Sequence, residues 1–231
     1  MYSLKSVLKK IGGRVRDRWY LRRQLKLKTI YMGSEYGGWK IAAEYLPEDP
    51  IVYSFGVGED ASFDIDLIQK YNASVWAFDP TPKSIKWVSK QNLPEAFHFF
   101  SFGISDRDET EKFYLPKNED YVSGSVIKDD RLKNEPIEVE MYRLITIMKL
   151  LKHDYIDILK MDIEGSEFKV IPDVLNENIR IGQICIEVHG RFFEDGSEKQ
   201  KRIIQMLNKC GYYIIYVSET LMELTFIKMS K

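Results

Sequence analysis

From Ile51 onward, short apolar runs alternate with amphipathic stretches of helix length, and that alternation leaves few architectures open. Residues 51–55, 74–78, 97–104, 156–161 and 183–188 read as buried strands. Residues 61–71, 81–91, 144–151, 164–175 and 197–210 read as the helices between them. Strands separated by helices predict βαβ units and a mainly parallel sheet. The end of the chain departs from this rule. Residues 212–217 and 224–229 are joined only by 218–223, and so short a connection joins antiparallel neighbours, not parallel ones. The expectation is a doubly wound, mostly parallel, seven-stranded α/β sheet of Rossmann-like type with an antiparallel C-terminal hairpin. Residues 106–143 alternate in polarity and contain Ser123-Gly124-Ser125, so they read as an antiparallel flap inserted into the domain.

The 231 residues suit one domain, and 44% hydrophobic with 30% charged residues is an ordinary globular balance. The net charge of −1 argues against a polyanion binder, and nucleic acid is not expected as a partner. Charge is nevertheless uneven. Lys5, Lys9, Lys10, Arg14, Arg16, Arg18, Arg22, Arg23, Lys26 and Lys28 face one acid, Asp17, with Leu4, Val7, Leu8, Ile11 and Val15 at helical spacing between them. Residues 1–30 therefore read as a basic helical arm ahead of a domain at 31–231. Gly12-Gly13 interrupts the pattern, which favours a solvated helix packed on the domain or on a second subunit of a homo-oligomer. Peripheral contact with an anionic membrane is the sharper alternative. Cys185 and Cys210 lack metal spacing and read as buried thiols. No apolar run is long enough to span a bilayer and no signal-peptide core follows Met1, so a cytoplasmic, reducing location is expected.

Chemistry concentrates at the strand ends. The turn Gly56-Val57-Gly58-Glu59-Asp60-Ala61-Ser62 follows the first strand, where a backbone can turn sharply and approach a ligand. Its G-x-G-x-x-A spacing is formally compatible with a nicotinamide cofactor. Glu59 and Asp60 would then repel a pyrophosphate. S-Adenosylmethionine has no phosphate and carries a sulfonium and an ammonium, which those carboxylates can face. Asp79, with Pro80, ends the second strand, where an acid can accept both hydroxyls of an adenosine ribose; as a plain alternative it caps the helix after it. Gly103-Ile104 closes the third strand and would flank the adenine. Asp162 and Glu164 end the strand at 156–161, and Glu187 and His189 end the next. If the two strands are neighbours, these four groups converge on one cleft. Glu167 reads as a helix N-terminal acid.

These segments resemble a known family. "ILKMDIEGSEFKVI" is similar to the K-x-D-x-E-G-x-E signature of FkbM methyltransferases. "VYSFGVGEDASFD", "WAFDPTP" and "ICIEVHG" resemble the same family's strand motifs, over roughly 51–191. "GSEYGGWKI" resembles an element ahead of the domain in some members. The resemblance implies the methyltransferase fold, S-adenosylmethionine as methyl donor, and a sugar hydroxyl or similar oxygen as acceptor, on a nucleotide-linked sugar or a surface glycan. The arm and the flap lie outside the matched motifs.

The expected chemistry is O-methylation, and a sugar hydroxyl needs a base or a metal. His189 is the first choice as base because an unperturbed imidazole titrates near neutrality. Asp162 and Glu187 are the alternative bases, and as hard oxygen ligands they suit a magnesium ion. The expected cofactor contacts are Gly56, Gly58, Glu59, Asp60, Ser62, Asp79, Pro80, Gly103, Ile104, Asp162 and Glu164. An NAD-dependent oxidoreductase and a non-catalytic domain of the same fold are the competing expectations.

Overall fold

The computed structural model describes residues 19–118, 122–128 and 130–229. Its elements run β1 (Ile30–Met32), β2 (Trp39–Ile41), β3 (Ile51–Phe55), α1 (Ser62–Tyr71), β4 (Ser74–Phe78), α2 (Pro82–Val88), β5 (Phe97–Phe100), β6 (Gly103–Ile104), β7 (Glu109–Phe113) and β8 (Ile137–Tyr142). Then follow α3 (Leu144–Leu151), β9 (Tyr155–Met161), α4 (Glu167–Asn176), β10 (Arg180–Glu187), α5 (Gly196–Lys209), β11 (Tyr212–Val217) and β12 (Glu223–Lys228).

Seven strands form the main sheet in the order β5-β4-β3-β9-β10-β12-β11. The pairs β5–β4, β4–β3, β3–β9 and β9–β10 are parallel. Strand β12 lies antiparallel between β10 and β11, which is the C-terminal hairpin the short 218–223 connection demands. Successive residues of a strand point to opposite faces. Val52, Ile158 and Cys185 accordingly pack with Phe63 and Leu67 of α1. Tyr53, Leu159 and Ile184 pack on the other side with α3, α4 and α5, through Ile147, Ile171 and Leu207. The sheet is thus covered on both faces, as its unbroken apolar strands require.

Two local features depart from the sequence reading, while the flap keeps its expected antiparallel pair. The run 97–104 is two strands: β5 ends at Phe100, and β6 leaves the main sheet to pair with β8. Phe102, between them, packs against Phe78, Phe100 and Tyr142, so its hydrophobicity serves an aromatic cluster. The flap is a small sheet, β6-β8-β7, in which β7 and β8 are antiparallel. Strands β1 and β2 form an additional antiparallel hairpin, with Met32 opposite Trp39.

The helical reading of the arm falls on residues 1–18, outside the described residues. Residues 19–29 contain no helix. They cover the edge strand instead: the Gln24 and Leu25 N–H groups donate to Ile214 O at 2.7 and 3.1 Å, and the Ile214 N–H donates to Gln24 Oε1 at 2.8 Å. The segment thereby partly covers the exposed edge of β11. Both cysteines are free thiols, Cys185 buried and Cys210 partly so. No helix among the described residues is long and apolar enough to cross a membrane.

Candidate active site

The parallel strands β3, β4, β9 and β10 end at one edge of the sheet, beneath a cavity of about 920 Å³. Open α/β sheets bind their ligands there. The glycine turn, Asp79-Pro80, the β9 and β10 ends, the flap and the 218–223 connection all line it.

The turn after β3 is pinned from both sides. Gly56 has φ +82 and Gly58 φ +60, in the left-handed region. A Cβ at Gly56 would lie 2.0 Å from the Asp162 carbonyl oxygen, whereas one at Gly58 would meet nothing nearer than Val122 Cγ1 at 3.8 Å. Lys160 Nζ donates to Gly56 O at 2.6 Å, and the Gly58 N–H donates to Asp79 Oδ2 at 2.9 Å.

Asp79 is buried and also accepts from the Thr81 N–H at 2.8 Å and Thr81 Oγ1 at 2.7 Å. Thr81, rather than Asp79, caps α2. A carboxylate offers about four lone-pair sites. Three are taken by Gly58 and Thr81, which leaves acceptor capacity for a ribose hydroxyl. Pro80, Gly103 and Ile104 line the cavity beside Phe78, Phe113 and Met141 as an apolar slot.

The acids of the turn divide. Glu59 pairs with Lys83 at 3.1 Å on the cavity wall. Asp60 accepts from the Ser62 N–H at 2.7 Å and from Ser34 Oγ. Burial acts to raise its pKa, but these hydrogen bonds hold it below the usual carboxylate range. Ser62 Oγ accepts from the Ser34 N–H at 2.7 Å and is not among the lining residues. Ser62 is therefore corrected from a cofactor contact to a tie between α1 and the 33–38 loop.

Strands β9 and β10 are adjacent, with Met161 opposite Ile186, so the acidic ends meet. His189 Nε2 lies 3.3 Å from Glu187 Oε1, 3.4 Å from Glu164 Oε2 and 3.6 Å from Asp162 Oδ1. Its Nδ1 is 2.8 Å from Glu167 Oε1. Burial alone would depress the imidazole, but the surrounding carboxylates prevail and raise its pKa to about 11. His189 is 1% exposed and is not among the cavity-lining residues. It therefore stands behind the cavity wall, screened from an acceptor by the carboxylates in front of it, rather than at the position expected of the base. Asp162 and Glu187 do line the cavity. Burial and the Glu187 carboxylate push Asp162 upward, while His189 and Arg191 hold Glu187 low against its own burial.

Six contributors were absent from the expected site set. Lys160, the first residue of the K-x-D block, is buried and joins β9 to the glycine turn. Glu167 begins α4 as expected, but it is wholly buried behind His189. Arg191 Nη2 donates to Glu164 Oε2 at 2.9 Å. Tyr36, in the GSEYGG segment, is an exposed aromatic at the cavity, and Tyr31 and Tyr216 also line it. Of the aromatics that could meet a sugar, Trp39 lines the cavity; Trp87, Phe192 and Phe193 are not among its lining residues, and Tyr121 lies outside the described residues. The flap is tied over this wall by Ser125 Oγ donating to Glu164 O at 2.6 Å.

"Probable methyltransferase-like protein 24" of Homo sapiens is 26% identical over 141 residues, 60% of this chain and 32% of that protein. Its Rattus norvegicus counterpart is 25% identical over the same shares. The match thus spans about a third of the length of these curated relatives. Among solved structures, the Methanococcus jannaschii fibrillarin pre-rRNA processing protein superposes with a TM-score of 0.47 at 12% identity, over 80% of this chain and 68% of that one. Aeropyrum pernix fibrillarin, solved with natively bound S-adenosyl-L-methionine, gives 0.45 at 12% identity, over 90% and 85%. Those superpositions are loose, and the fold rests on the strand order above. The methyltransferase FkbM domain model matches residues 52–214, from β3 to β11. The chain belongs to the FkbM methyltransferase domain family.

Proposed function

We propose that the protein is an S-adenosylmethionine-dependent O-methyltransferase acting on a sugar hydroxyl. One observation carries this reading: a continuous cavity runs from the Gly56–Gly58 turn and Asp79 to Asp162 and Glu187. The donor set suits the cofactor. Asp79 keeps one acceptor site for a ribose hydroxyl, the Ile104–Met141 slot takes a flat apolar base, and Glu59, Asp162 and Glu164 face a cationic amino-acid portion. The same acids disfavour the pyrophosphate of a nicotinamide cofactor.

When bound, S-adenosylmethionine supplies an electrophilic methyl carbon on a sulfonium. The chain supplies position and proton transfer. Holding an acceptor oxygen in line can contribute about 7–11 kcal/mol. Asp162, whose pKa is raised toward the working range of a general base, takes the hydroxyl proton, with Glu187 beside it. Magnesium on the Asp162 and Glu187 oxygens is the second route to a more acidic acceptor.

The acceptor half of the cavity carries Glu35, Glu187, Glu219 and Glu223 against Lys40 and Arg191, with Tyr31, Tyr36 and Tyr216 among them. This acidic, aromatic wall favours a neutral or amine-bearing glycan over a phosphate-bearing nucleotide sugar. The test is transfer of labelled methyl to a panel of neutral glycans, amino sugars and nucleotide sugars. Methylation of a neutral or amino sugar is expected, and label appearing only on nucleotide sugars contradicts the acceptor assignment.

A further inference from the structure

We infer that Asp162, Glu164 and His189 form a binding site for one divalent transition-metal ion in the inner wall of the cavity. The case begins with the ring. His189 is 1% exposed, and its Nδ1 contact with Glu167 at 2.8 Å fixes the orientation of Nε2. Three carboxylate oxygens face that nitrogen, at 3.3, 3.4 and 3.6 Å. None reaches the ~2.7–2.9 Å of a charge-assisted hydrogen bond, and one N–H can be aimed at only one of them. Two ligand atoms held ~2.1 Å from a shared ion at tetrahedral angles lie about 3.4 Å apart, close to the observed spacing. Ligand atoms of Asp162, Glu164 and His189 also lie within 4.8 Å of one another.

Glu167 is a second, independent observation. It is wholly buried, and its Oε1 also accepts the Gly165 N–H at 3.2 Å. A buried carboxylate behind a histidine whose other nitrogen faces oxygen ligands is the arrangement that orients metal-bound imidazoles. The cluster also has an open side. Asp162 and Glu164 line the cavity while His189 stands behind them, so three protein ligands leave the fourth position open toward the cavity, as in catalytic metal sites.

The ligand set differs from the magnesium pair considered above. Magnesium prefers oxygen-only octahedra and keeps several waters. An imidazole nitrogen with two carboxylates suits manganese, iron, cobalt or zinc. Such an ion would polarise an acceptor hydroxyl entering the cavity, and this last point alone rests on the methyltransferase reading.

The test uses the full chain after chelator treatment. Co2+ is titrated with visible absorption as readout, Zn2+ is titrated by calorimetry, and S-adenosylhomocysteine binding is measured on the same sample. One equivalent of Co2+, displaced by Zn2+, is expected. Glu164→Gln and Glu167→Gln should each weaken binding by about 10–100-fold, with circular dichroism confirming that both variants are folded. Co2+ uptake without S-adenosylhomocysteine binding supports the ion site while removing the methyltransferase reading. S-Adenosylhomocysteine binding with no Co2+ or Zn2+ uptake at ~1 mM overturns the ion site. Undiminished uptake in both folded variants overturns it as well.

Discussion

Lys160 Nζ donates to the Gly56 carbonyl at 2.6 Å, joining the strand that carries the acidic cluster to the turn that floors the cavity. Lys160 is buried, and Asp64, Asp60 and Asp162 all feel its charge. Removing a buried partner leaves the opposite charges uncompensated. Lys160→Met should therefore lose about 1–3 kcal/mol of stability, read by urea denaturation. A loss below about 0.5 kcal/mol would place this lysine outside the network.

The two glycines of the turn should behave differently. Gly56→Ala meets the Asp162 carbonyl at 2.0 Å and cannot be accommodated without moving β9. Gly58→Ala faces open space and carries only the cost of φ +60, about 1–2 kcal/mol. Calorimetry with S-adenosylhomocysteine should find binding abolished in the first variant and weakened about tenfold in the second. Equal affinities would mean that the turn does not approach the ligand.

Asp79→Asn should weaken S-adenosylhomocysteine by about 10–100-fold. The Asn amide cannot accept simultaneously from the Gly58 N–H, the Thr81 N–H and a ribose hydroxyl, because only its carbonyl oxygen accepts. Unchanged affinity would restrict Asp79 to bracing the turn.

Much of this site is legible in the sequence because its residues stand at strand ends, where an apolar run gives way to Gly, Asp or Glu. Gly56, Asp79, Asp162 and Glu187 are visible in that way. The pairing of His189 with Glu167 depends on burial that the local sequence does not show. They meet across 22 residues of sequence, and nothing local shows that each encloses the other. The β1–β2 hairpin escaped because strands of three residues leave no periodicity to detect. Phe102 lengthened the apparent third strand because hydrophobicity alone does not distinguish a sheet position from an aromatic cluster.

Asp64 sets a pH dependence. It is almost fully buried, and burial raises its pKa from the ordinary 3.8 to about 6, with Lys160 opposing. Between those values the folded chain binds a proton that the unfolded chain has released. This group's contribution to stability therefore falls as pH rises from about 4 to 6 and stays low above that range. Asp64→Asn removes the slope and should gain about 1–3 kcal/mol at pH 7 relative to the parent. Other carboxylates titrate in the same range, so the informative quantity is the difference between variant and parent from parallel denaturations at pH 4 and 7. A difference that does not change with pH would contradict the assignment.

The acidic end of β9 should matter more to turnover than to fold. Asp162 is half-buried at the cavity, so Asp162→Asn should keep the protein folded. Turnover should drop by about 10²–10⁴-fold, the typical contribution of a positioned base. Near-normal turnover would remove Asp162 from the chemistry.

The most direct test of the central claim is calorimetric titration of the full chain with S-adenosylhomocysteine, with NAD as the control. One-site binding of S-adenosylhomocysteine and none of NAD is the predicted result. Binding of NAD with no binding of S-adenosylhomocysteine would contradict the account and make the cavity that of an oxidoreductase.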